Sequence, residues 1–244
     1  MLSIIVPALN EADNVESLMS ELVDASATLP ISEIIYIDDG STDATVEVLR
    51  RQQERCPALR IIRHGRRMGQ SAAFLSGARA ATTELLVFMD ADGQNDPRDI
   101  ARLLKEFQGN LPAASAVLGQ RVGRRDVWSK RISSKLANRL RRAILNDHTR
   151  DTGCSLKLIR REDYLALPYF DHMHRFLPAM LMRNGVELRH VDVSHRPRAA
   201  GVSKYGFRNR AFVGAVDLLG SAWLIRRGLP LDYASTELSK DGIR

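Results

Sequence analysis

Short apolar runs and amphipathic segments alternate along the first 108 residues, and this alternation restricts the chain to few architectures. The runs at 2–9, 33–38, 59–64 and 84–89 are rich in β-branched residues or leucine and predict buried strands. Each run is followed by a segment whose apolar residues have helical spacing. Because strands that alternate with helices are joined by right-handed crossovers, we predict an α/β fold with a mostly parallel central sheet flanked by helices.

Acidic residues follow two of these predicted strands directly. Asp39 comes after the second strand, and Asp90 and Asp92, with Gln94 close behind, come after the fourth. Ligands bind beyond the carboxyl ends of parallel strands, so we expect these residues to meet in one crevice. Hard oxygen ligands suit Mg²⁺ or Mn²⁺, and Mg²⁺ in particular is held by few carboxylates plus substrate phosphates. The cluster therefore predicts a metal–phosphate site, with a solvated turn as the alternative.

The charge of the chain indicates an anionic partner. Lys and Arg total 36 against 29 Asp and Glu, which gives a formal net charge of +7. Nucleic acid, a phosphorylated ligand and an acidic membrane surface would each fit this excess. A platform for single-stranded nucleic acid needs interleaved aromatic residues, and only 6% of the residues are aromatic. We therefore expect no nucleic-acid partner, and a non-catalytic nucleic-acid-binding protein stays as the alternative from another class.

Hydropathy indicates how the chain relates to a membrane. No stretch offers about 18 uninterrupted apolar residues, so no transmembrane helix is predicted. The N-terminus lacks the basic and apolar regions of a secretory signal. The closing segment 205–227 combines apolar residues with flanking arginines, which suits a helix at a membrane interface or one packed on its own core. We expect a single domain, 1–244, in the cytoplasm, peripheral on the cytoplasmic face of an anionic membrane.

Several motifs, in this order and spacing, resemble family 2 glycosyltransferases with the GT-A fold. They are "VPALNEADNV", "YIDDGSTDATVEVL", "GQSAAFLSGA" and "FMDADGQNDP". Farther on, "DTGCSLKLIRRE" and "HRPRAAGVSKYG" are similar to the branch with dolichol-phosphate mannosyltransferase and bacterial polyprenyl-phosphate glycosyltransferases. The resemblance extends to about Arg227. It implies a Rossmann-like half that binds a nucleotide sugar, 1–110, and an acceptor-binding half, 111–230, that ends in an amphipathic helix.

The resemblance also implies roles for individual residues. A divalent cation, Mg²⁺ or Mn²⁺, would be held by Asp90, Asp92 and Gln94. The residues implied to bind the donor nucleotide are Pro7, Asn10, Glu11, Asp39, Gln70 and Asp90. Those implied to bind the acceptor phosphate are Arg121, Lys130, Arg131 and Ser133, within a stretch that holds nine Lys or Arg from Arg121 to Arg142. Asp92, Arg121 and Asp151 would be the catalytic residues.

The implied activity is inverting transfer of a sugar from a UDP- or GDP-linked donor to a polyprenyl phosphate lipid. A phosphate monoester is mostly dianionic at neutral pH, so it needs cations that position it rather than a strong base. A saccharide acceptor is the alternative, and it would need a carboxylate base, for which Asp151 is the candidate. The sequence leaves open the sugar, the nucleotide and whether the chain forms a homo-oligomer.

Overall fold

The computed structural model describes residues 1–108, 115–122, 141, 144–145, 147, 149–197 and 208–227, with the backbone alone for 208–213. The strands are β1 (Leu2–Ala8), β2 (Ile31–Asp38), β3 (Leu59–Arg63), β4 (Leu85–Phe88), β5 (Ser115–Arg121), β6 (Lys157–Arg160) and β7 (Glu187–Val193). The helices are α1 (Ala12–Ser26), α2 (Thr45–Arg55), α3 (Gln70–Ala80), α4 (Ile100–Gln108), α5 (Arg161–Leu165), α6 (Leu177–Arg183) and α7 (Arg208–Arg227). Short 3-10 turns lie at Pro97–Asp99 and Met173–Arg175.

The strands form one seven-stranded sheet in the order β3-β2-β1-β4-β6-β5-β7. Neighbouring strands from β3 to β4 are parallel, and β5 is parallel to β7. β6 lies between β4 and β5 and runs antiparallel to both. The predicted α/β fold with a mostly parallel sheet is therefore confirmed, and β6 is the exception. The carboxyl ends of β1, β2 and β4 meet at one edge, which is the edge where the sequence concentrates its acidic residues.

Apolar side chains cover both faces of the sheet. Ile4 and Val6 of β1 pack in one cluster with α1, α2 and α4, while Ile5 packs on the other face with α3, α6 and part of α7. α3 approaches the sheet most closely at Gly77. A Cβ atom placed there would lie 2.4 Å from Ile5 Cγ2 and 2.9 Å from Ile37 Cδ1. Only glycine lets the helix lie this near the strands, so its position relative to β1 and β2 is fixed by contact.

Two local predictions need correction. The segment 41–55 opens with Ser41 and Thr42, two typical helix caps, so a helix is expected from Ser41. It begins instead at Thr45, because the Ser41 hydroxyl is used elsewhere and accepts a hydrogen bond from the Asn10 amide at 2.8 Å. Asp43 accepts the Thr45 amide hydrogen at 3.0 Å, but the N-cap residue is Ala44, so the capping role expected of Asp43 is not observed. The pattern at 172–185 predicts a helix from His172, but the helix begins at Leu177 and a 3-10 turn precedes it.

Part of the predicted acceptor region lies outside the described residues. This applies to Lys130, Arg131 and Ser133 and to the basic segment around them. The closing helix predicted from the apolar pattern at 205–227 is present as α7. Within the part of the chain that the structure describes, no helix combines the length and the apolar character needed to cross a membrane.

Candidate active site

A cavity opens at the carboxyl edge of β1, β2 and β4. It brings Asp39 together with Asp90 and Asp92, which confirms that the two acidic clusters meet in one crevice. Of the residues predicted to bind the donor, only Asn10 is missing from the lining, and of the predicted metal ligands only Gln94 is missing. The lining residues are Pro7, Ala8, Leu9, Glu11, Asp39, Arg67, Gly69, Gln70, Asp90, Ala91 and Asp92.

Asn10 connects the loops that follow β1 and β2. Its backbone is left-handed, with φ of 51°, a conformation that asparagine tolerates better than most residues. Its amide donates to Ser41 Oγ, and its Oδ1 accepts from the Thr42 amide, each at 2.8 Å. The next residue, Glu11, donates its amide to Thr45 Oγ1 at 2.9 Å. The observed role of Asn10 is therefore to hold the cavity rim in shape, and direct contact with a nucleotide stays a prediction.

Asp39 organises the loop between β3 and α3. Its Oδ1 accepts from the Met68 amide and its Oδ2 from the Gly69 amide, both at 2.8 Å. His64 Nδ1 lies 2.8 Å from the same Oδ1, and His64 Nε2 lies 2.9 Å from Ser76 Oγ. The observed role of the imidazole is therefore structural. The Asp39 carboxylate shapes the wall of the cavity, and its contact with the donor nucleotide stays a prediction.

Asp90 and Asp92 lie at the end of β4 and carry like charges on one cavity wall. Gln70 Nε2 donates to Asp90 Oδ1 at 2.7 Å, and Asp92 Oδ1 accepts the Gln94 amide hydrogen at 3.1 Å. Burial, with the nearby charge of Asp92, raises the pKa of Asp90 to about 6. A cation bound beside Asp90 would favour the ionised form of this carboxyl group.

The donor set fits a cation shared with a ligand. The described residues contain no group of three or more His, Cys, Asp and Glu side chains that could hold a metal ion by themselves. Two carboxylates leave coordination positions open, which is the pattern expected when substrate phosphates complete the shell of Mg²⁺. Gln94 Nε2 donates to the Arg196 carbonyl at 3.3 Å, so this amide group also connects the β4 turn to the chain after β7.

Arg121 and Asp151 form a bidentate ion pair beside this wall. Arg121 Nε and Nη2 each donate to a different oxygen of Asp151 at 2.7 Å, and both side chains are largely buried. Burial lowers the pKa of Arg121, but the bonds and charge of Asp151 outweigh it and the pKa is raised, with a further contribution from Asp90. A Cβ atom at Gly153 would lie 2.9 Å from Arg121 Nη2, so glycine leaves the space that the guanidinium fills.

Two cationic residues at the site were not predicted from the sequence. Arg67 lines the cavity beside Gly69. Lys157 is buried on β6, paired with Phe88 of β4, and its Nζ donates to the Cys154 carbonyl. Desolvation lowers the pKa of Lys157, while the charge of Asp90 acts against this shift. A lysine inside an otherwise apolar strand pattern was the available signal for a buried functional charge.

Arg196 ties the chain after β7 to the turn after β4. Its amide donates to the Gln94 carbonyl at 3.0 Å, and its guanidinium contacts Glu21 of α1 at 2.7 Å and Asp96 at 2.5 Å. Burial raises the pKa of Asp96, but hydrogen bonds from Arg98 and Arg196 outweigh it and lower the pKa to about 2. The segment around Arg196 therefore supports the edge of the site.

His174 is held against the first turn of α3. Its Nδ1 lies 2.8 Å from Ser71 Oγ, and its amide donates to the same oxygen at 3.2 Å. Desolvation, with the nearby charges of Arg175, Lys157 and His172, lowers the pKa of His174 to about 3. The imidazole is therefore neutral at physiological pH, and its Nδ1 shares a hydrogen bond with the Ser71 hydroxyl.

The pKa of His174 predicts a loss of stability in mild acid. The unfolded state binds a proton near pH 6.5 and the folded state only near pH 3, so the free energy of unfolding falls as the pH drops below 6.5. Between pH 7.5 and 5.0 this group should remove up to about 2 kcal/mol. In urea titrations at both pH values, His174→Asn should lose less stability on acidification than the wild type. Equal losses would contradict the assignment.

The sequence and the fold are similar to those of known sugar-transferring proteins. The family model for glycosyl transferase family 2 matches residues 3–167. Dodecaprenyl-phosphate galacturonate synthase of Rhizobium johnstonii is 36% identical over 232 residues, which cover 92% of this chain and 67% of that protein. Undecaprenyl-phosphate 4-deoxy-4-formamido-L-arabinose transferase of Aeromonas hydrophila is 31% identical over 209 residues, covering 84% and 63%. The chain thus spans about two thirds of the length of these relatives.

Solved structures agree in fold. Glucosyl-3-phosphoglycerate synthase of Mycobacterium tuberculosis, in complex with Mn²⁺, UDP and glucosyl-3-phosphoglycerate, has a TM-score of 0.68 at 19% identity, covering 95% of this chain and 81% of that one. Mannosyl-3-phosphoglycerate synthase of Rubrobacter xylanophilus has the same TM-score at 16% identity, covering 100% and 85%. The fold is the GT-A fold. The chain belongs to glycosyl transferase family 2, as its motifs predicted, and its curated relatives are bacterial polyprenyl-phosphate glycosyltransferases.

Proposed function

We propose that this protein transfers a sugar from a nucleotide-diphosphate sugar to a polyprenyl phosphate, with inversion at the anomeric carbon. The observation that carries the proposal is the meeting of a carboxylate-lined cleft with a buried arginine. Asp90 and Asp92 line the cleft, and the positive charge of Arg121 is near enough to interact electrostatically with the carboxylate of Asp90. The names of the two curated relatives, which both include a polyprenyl phosphate, support the lipid acceptor.

The residues that line the cavity support a nucleotide-sugar donor. Pro7, Glu11, Asp39 and Gln70 surround the space beside Asp90, at the strand ends where α/β sheets bind nucleotides. A structural neighbour of the same fold holds UDP with Mn²⁺, which supports a UDP-linked donor more directly than a GDP-linked one. We propose that Asp90 and Asp92, with Gln94, hold Mg²⁺ or Mn²⁺ against the diphosphate. A divalent cation bound there supplies Lewis-acid stabilisation of the leaving group.

The chemistry of a phosphate group supports the proposed lipid acceptor. In the proposed reaction a phosphate oxygen attacks the anomeric carbon, and the bond to the diphosphate breaks with its electron pair on the departing nucleotide. A phosphate dianion carries no proton that must be removed, so the protein needs cations to orient it. Arg121 is fixed at the end of β5 by two hydrogen bonds to Asp151, which limits the motion of its guanidinium. A preorganised cation of this kind suits phosphate recognition.

The same ion pair weighs against a saccharide acceptor. That reaction would need Asp151 as a base, close to an acceptor hydroxyl with an oxygen able to take its proton. Both oxygens of Asp151 instead accept hydrogen bonds from Arg121, and one of them also accepts from the Arg121 amide at 3.3 Å. The carboxylate is thus engaged in holding the arginine.

The experiment that tests the proposal is a panel of radiolabelled UDP- and GDP-sugars incubated with polyprenyl phosphate, with Mg²⁺, Mn²⁺ or a chelator. The proposal expects label in the organic phase after lipid extraction, and no label when the cation is removed. Parallel reactions with oligosaccharide acceptors serve as the comparison. Label in saccharide with none in lipid would show that the acceptor class is wrong.

We also propose that α7 brings the protein to anionic membranes. Its inward side includes Ala222, which is buried in the same apolar cluster as the side chains of α6. Its outward side exposes Val216, Leu219 and Trp223, at 53%, 65% and 61%, and Arg226 and Arg227 follow. The two interpretations of this segment from sequence therefore apply to different faces of one helix. An exposed apolar stripe beside cations suits the interface of an anionic bilayer.

Trp223→Ala should reduce binding to vesicles of phosphatidylglycerol. Loss of one interfacial tryptophan should lower the partition coefficient about tenfold, since it removes a large part of the apolar stripe. Vesicle flotation at low and high salt measures this, and wild-type binding should weaken as salt is added. Val23→Ser, an exposed valine on α1, is the matched control and should float like the wild type. Absence of wild-type flotation at low salt would contradict membrane contact.

A further inference from the structure

The 3-10 turn at Met173–Arg175 makes specific contact with the start of α3. Ser71, the second residue of α3, is fully buried. Its oxygen accepts the His174 amide hydrogen at 3.2 Å, and its hydroxyl lies 2.8 Å from His174 Nδ1. The serine oxygen thus takes part in two hydrogen bonds with the same residue, which is 103 positions away in the sequence. This pairing fixes the rotamer of the serine and the position of the helix start together.

The same turn of α3 carries the residue that holds Asp90. Gln70 precedes Ser71 directly, and its Nε2 donates to Asp90 Oδ1 at 2.7 Å. The preceding Gly69 has a φ of 90° and donates its amide to Asp39 Oδ2 at 2.8 Å. Farther along α3, Gly77 is in close contact with β1 and β2. Three sets of contacts therefore fix the position of Gln70. The Gly69 amide is bound to Asp39, and Ser71 is bound to His174. The third is the packing of α3 against the sheet at Gly77.

From these contacts we infer that His174 is a positioning residue for the donor site, acting through Ser71 and Gln70 on Asp90. The inference rests on the proposed function, since it assigns His174 to the binding of the nucleotide sugar. Asp90 lines the cavity, and one of its oxygens is held before any ligand arrives. A carboxylate that is already oriented loses less conformational freedom when the donor binds, so affinity for the donor is higher.

The role is confined to orientation. His174 forms its hydrogen bonds with Ser71, not with Asp90. Its ring also stays neutral at physiological pH, so it adds no charge to the site. The expected signature is therefore a change in the binding of the donor, with little change in turnover once the donor is saturating.

The test compares His174→Ala, Gln70→Ala and the double variant. Calorimetric titration with UDP and GDP in the presence of Mn²⁺ should show each single variant weakening the nucleotide that the wild type binds by about tenfold. The double variant should be no weaker than the weaker single variant, because both changes interrupt one path. In transfer assays the KM for the donor should rise while kcat stays within about twofold. His174→Asn, whose amide oxygen can accept from Ser71, should recover part of the affinity.

His190→Ala is the matched control, since this half-buried histidine also contacts a threonine hydroxyl, Thr149 Oγ1 at 3.2 Å, but lies on β7 away from the cavity. It should bind nucleotide like the wild type. Additive losses in the double variant, or equal affinity of His174→Ala and the wild type, would overturn the inference while leaving the proposed function standing. If the wild type binds neither nucleotide, the proposed donor fails, and the inference that rests on it fails too.

Discussion

Asp92→Asn should abolish sugar transfer while leaving the fold intact. The side chain is at the cavity wall after β4 and accepts a hydrogen bond from the Gln94 amide, which an asparagine oxygen can also accept. The lost charge removes a ligand for the cation, so the rate should fall by at least about a thousandfold, or about 4 kcal/mol of barrier. Transfer assays with purified variant, together with urea unfolding, measure both quantities. Turnover near that of the wild type would mean that the cluster is only a turn.

Asp96→Asn provides the matched comparison, four positions farther along the same turn. Asp96 accepts hydrogen bonds from the Arg98 amide and side chain and pairs with Arg196. The pKa of Asp96 is lowered to about 2 in the folded protein, so folding favours the charged carboxylate. The contribution of this group to the free energy of unfolding is lost as the pH falls below about 4. Asp96→Asn should therefore lower stability at pH 7 and keep metal-dependent transfer. Asp96→Asn thus tests a carboxylate that stabilises the fold, and Asp92→Asn tests a carboxylate that is proposed to bind the cation.

Arg121→Ala should raise the KM for polyprenyl phosphate, or lower kcat if the contact tightens as the phosphate attacks, by about a hundredfold in kcat/KM. Donor affinity should change little, because Arg121 does not line the donor cavity. The change also leaves Asp151 without its bidentate partner, so stability should fall by about 1–3 kcal/mol. Steady-state kinetics with varied lipid, and nucleotide titration by calorimetry, measure the two effects. Lost nucleotide affinity with unchanged lipid dependence would place Arg121 at the donor diphosphate instead.

Asp151→Asn distinguishes the acceptor classes. If Asp151 only holds Arg121, asparagine retains one acceptor oxygen and transfer to lipid should stay within about tenfold of the wild type. If Asp151 is the base for a saccharide hydroxyl, kcat should fall by about a hundredfold or more. The variant is close in size to the wild-type residue, so the space left by Gly153 for the guanidinium is preserved.

The sequence predicted the parts of this molecule that depend on local pattern. The first two buried strands, the helix between them and the convergence of Asp39 with Asp90 follow from apolar periodicity and from the rule that parallel strands end at one edge. The antiparallel insertion of β6 between β4 and β5 did not follow, because no local pattern records which strand a later segment will pair with.

The unpredicted parts of the site depend on long-range contacts. The local sequence indicates no partner for His174, and the structure shows it bonded to Ser71 of α3. Lys157 had no assigned role, and it is buried on the strand beside Asp90. The pairing of Arg121 with Asp151 could not be derived either, although both residues were named, because 30 residues separate them and their contact depends on the sheet order.

The close approach of α3 to the sheet at Gly77 has a consequence for how the protein tolerates heat. The helix that presents Gln70 to Asp90 is also seated in the apolar core, against Ile5 and Ile37. Regions with few buried contacts open first on warming, and this helix is not one of them. The cavity at the carboxyl ends of β1, β2 and β4 should therefore keep its structure until the core itself unfolds. Heat inactivation and global unfolding would then share one transition, and stabilising substitutions in the core would extend the working lifetime of the catalyst as well.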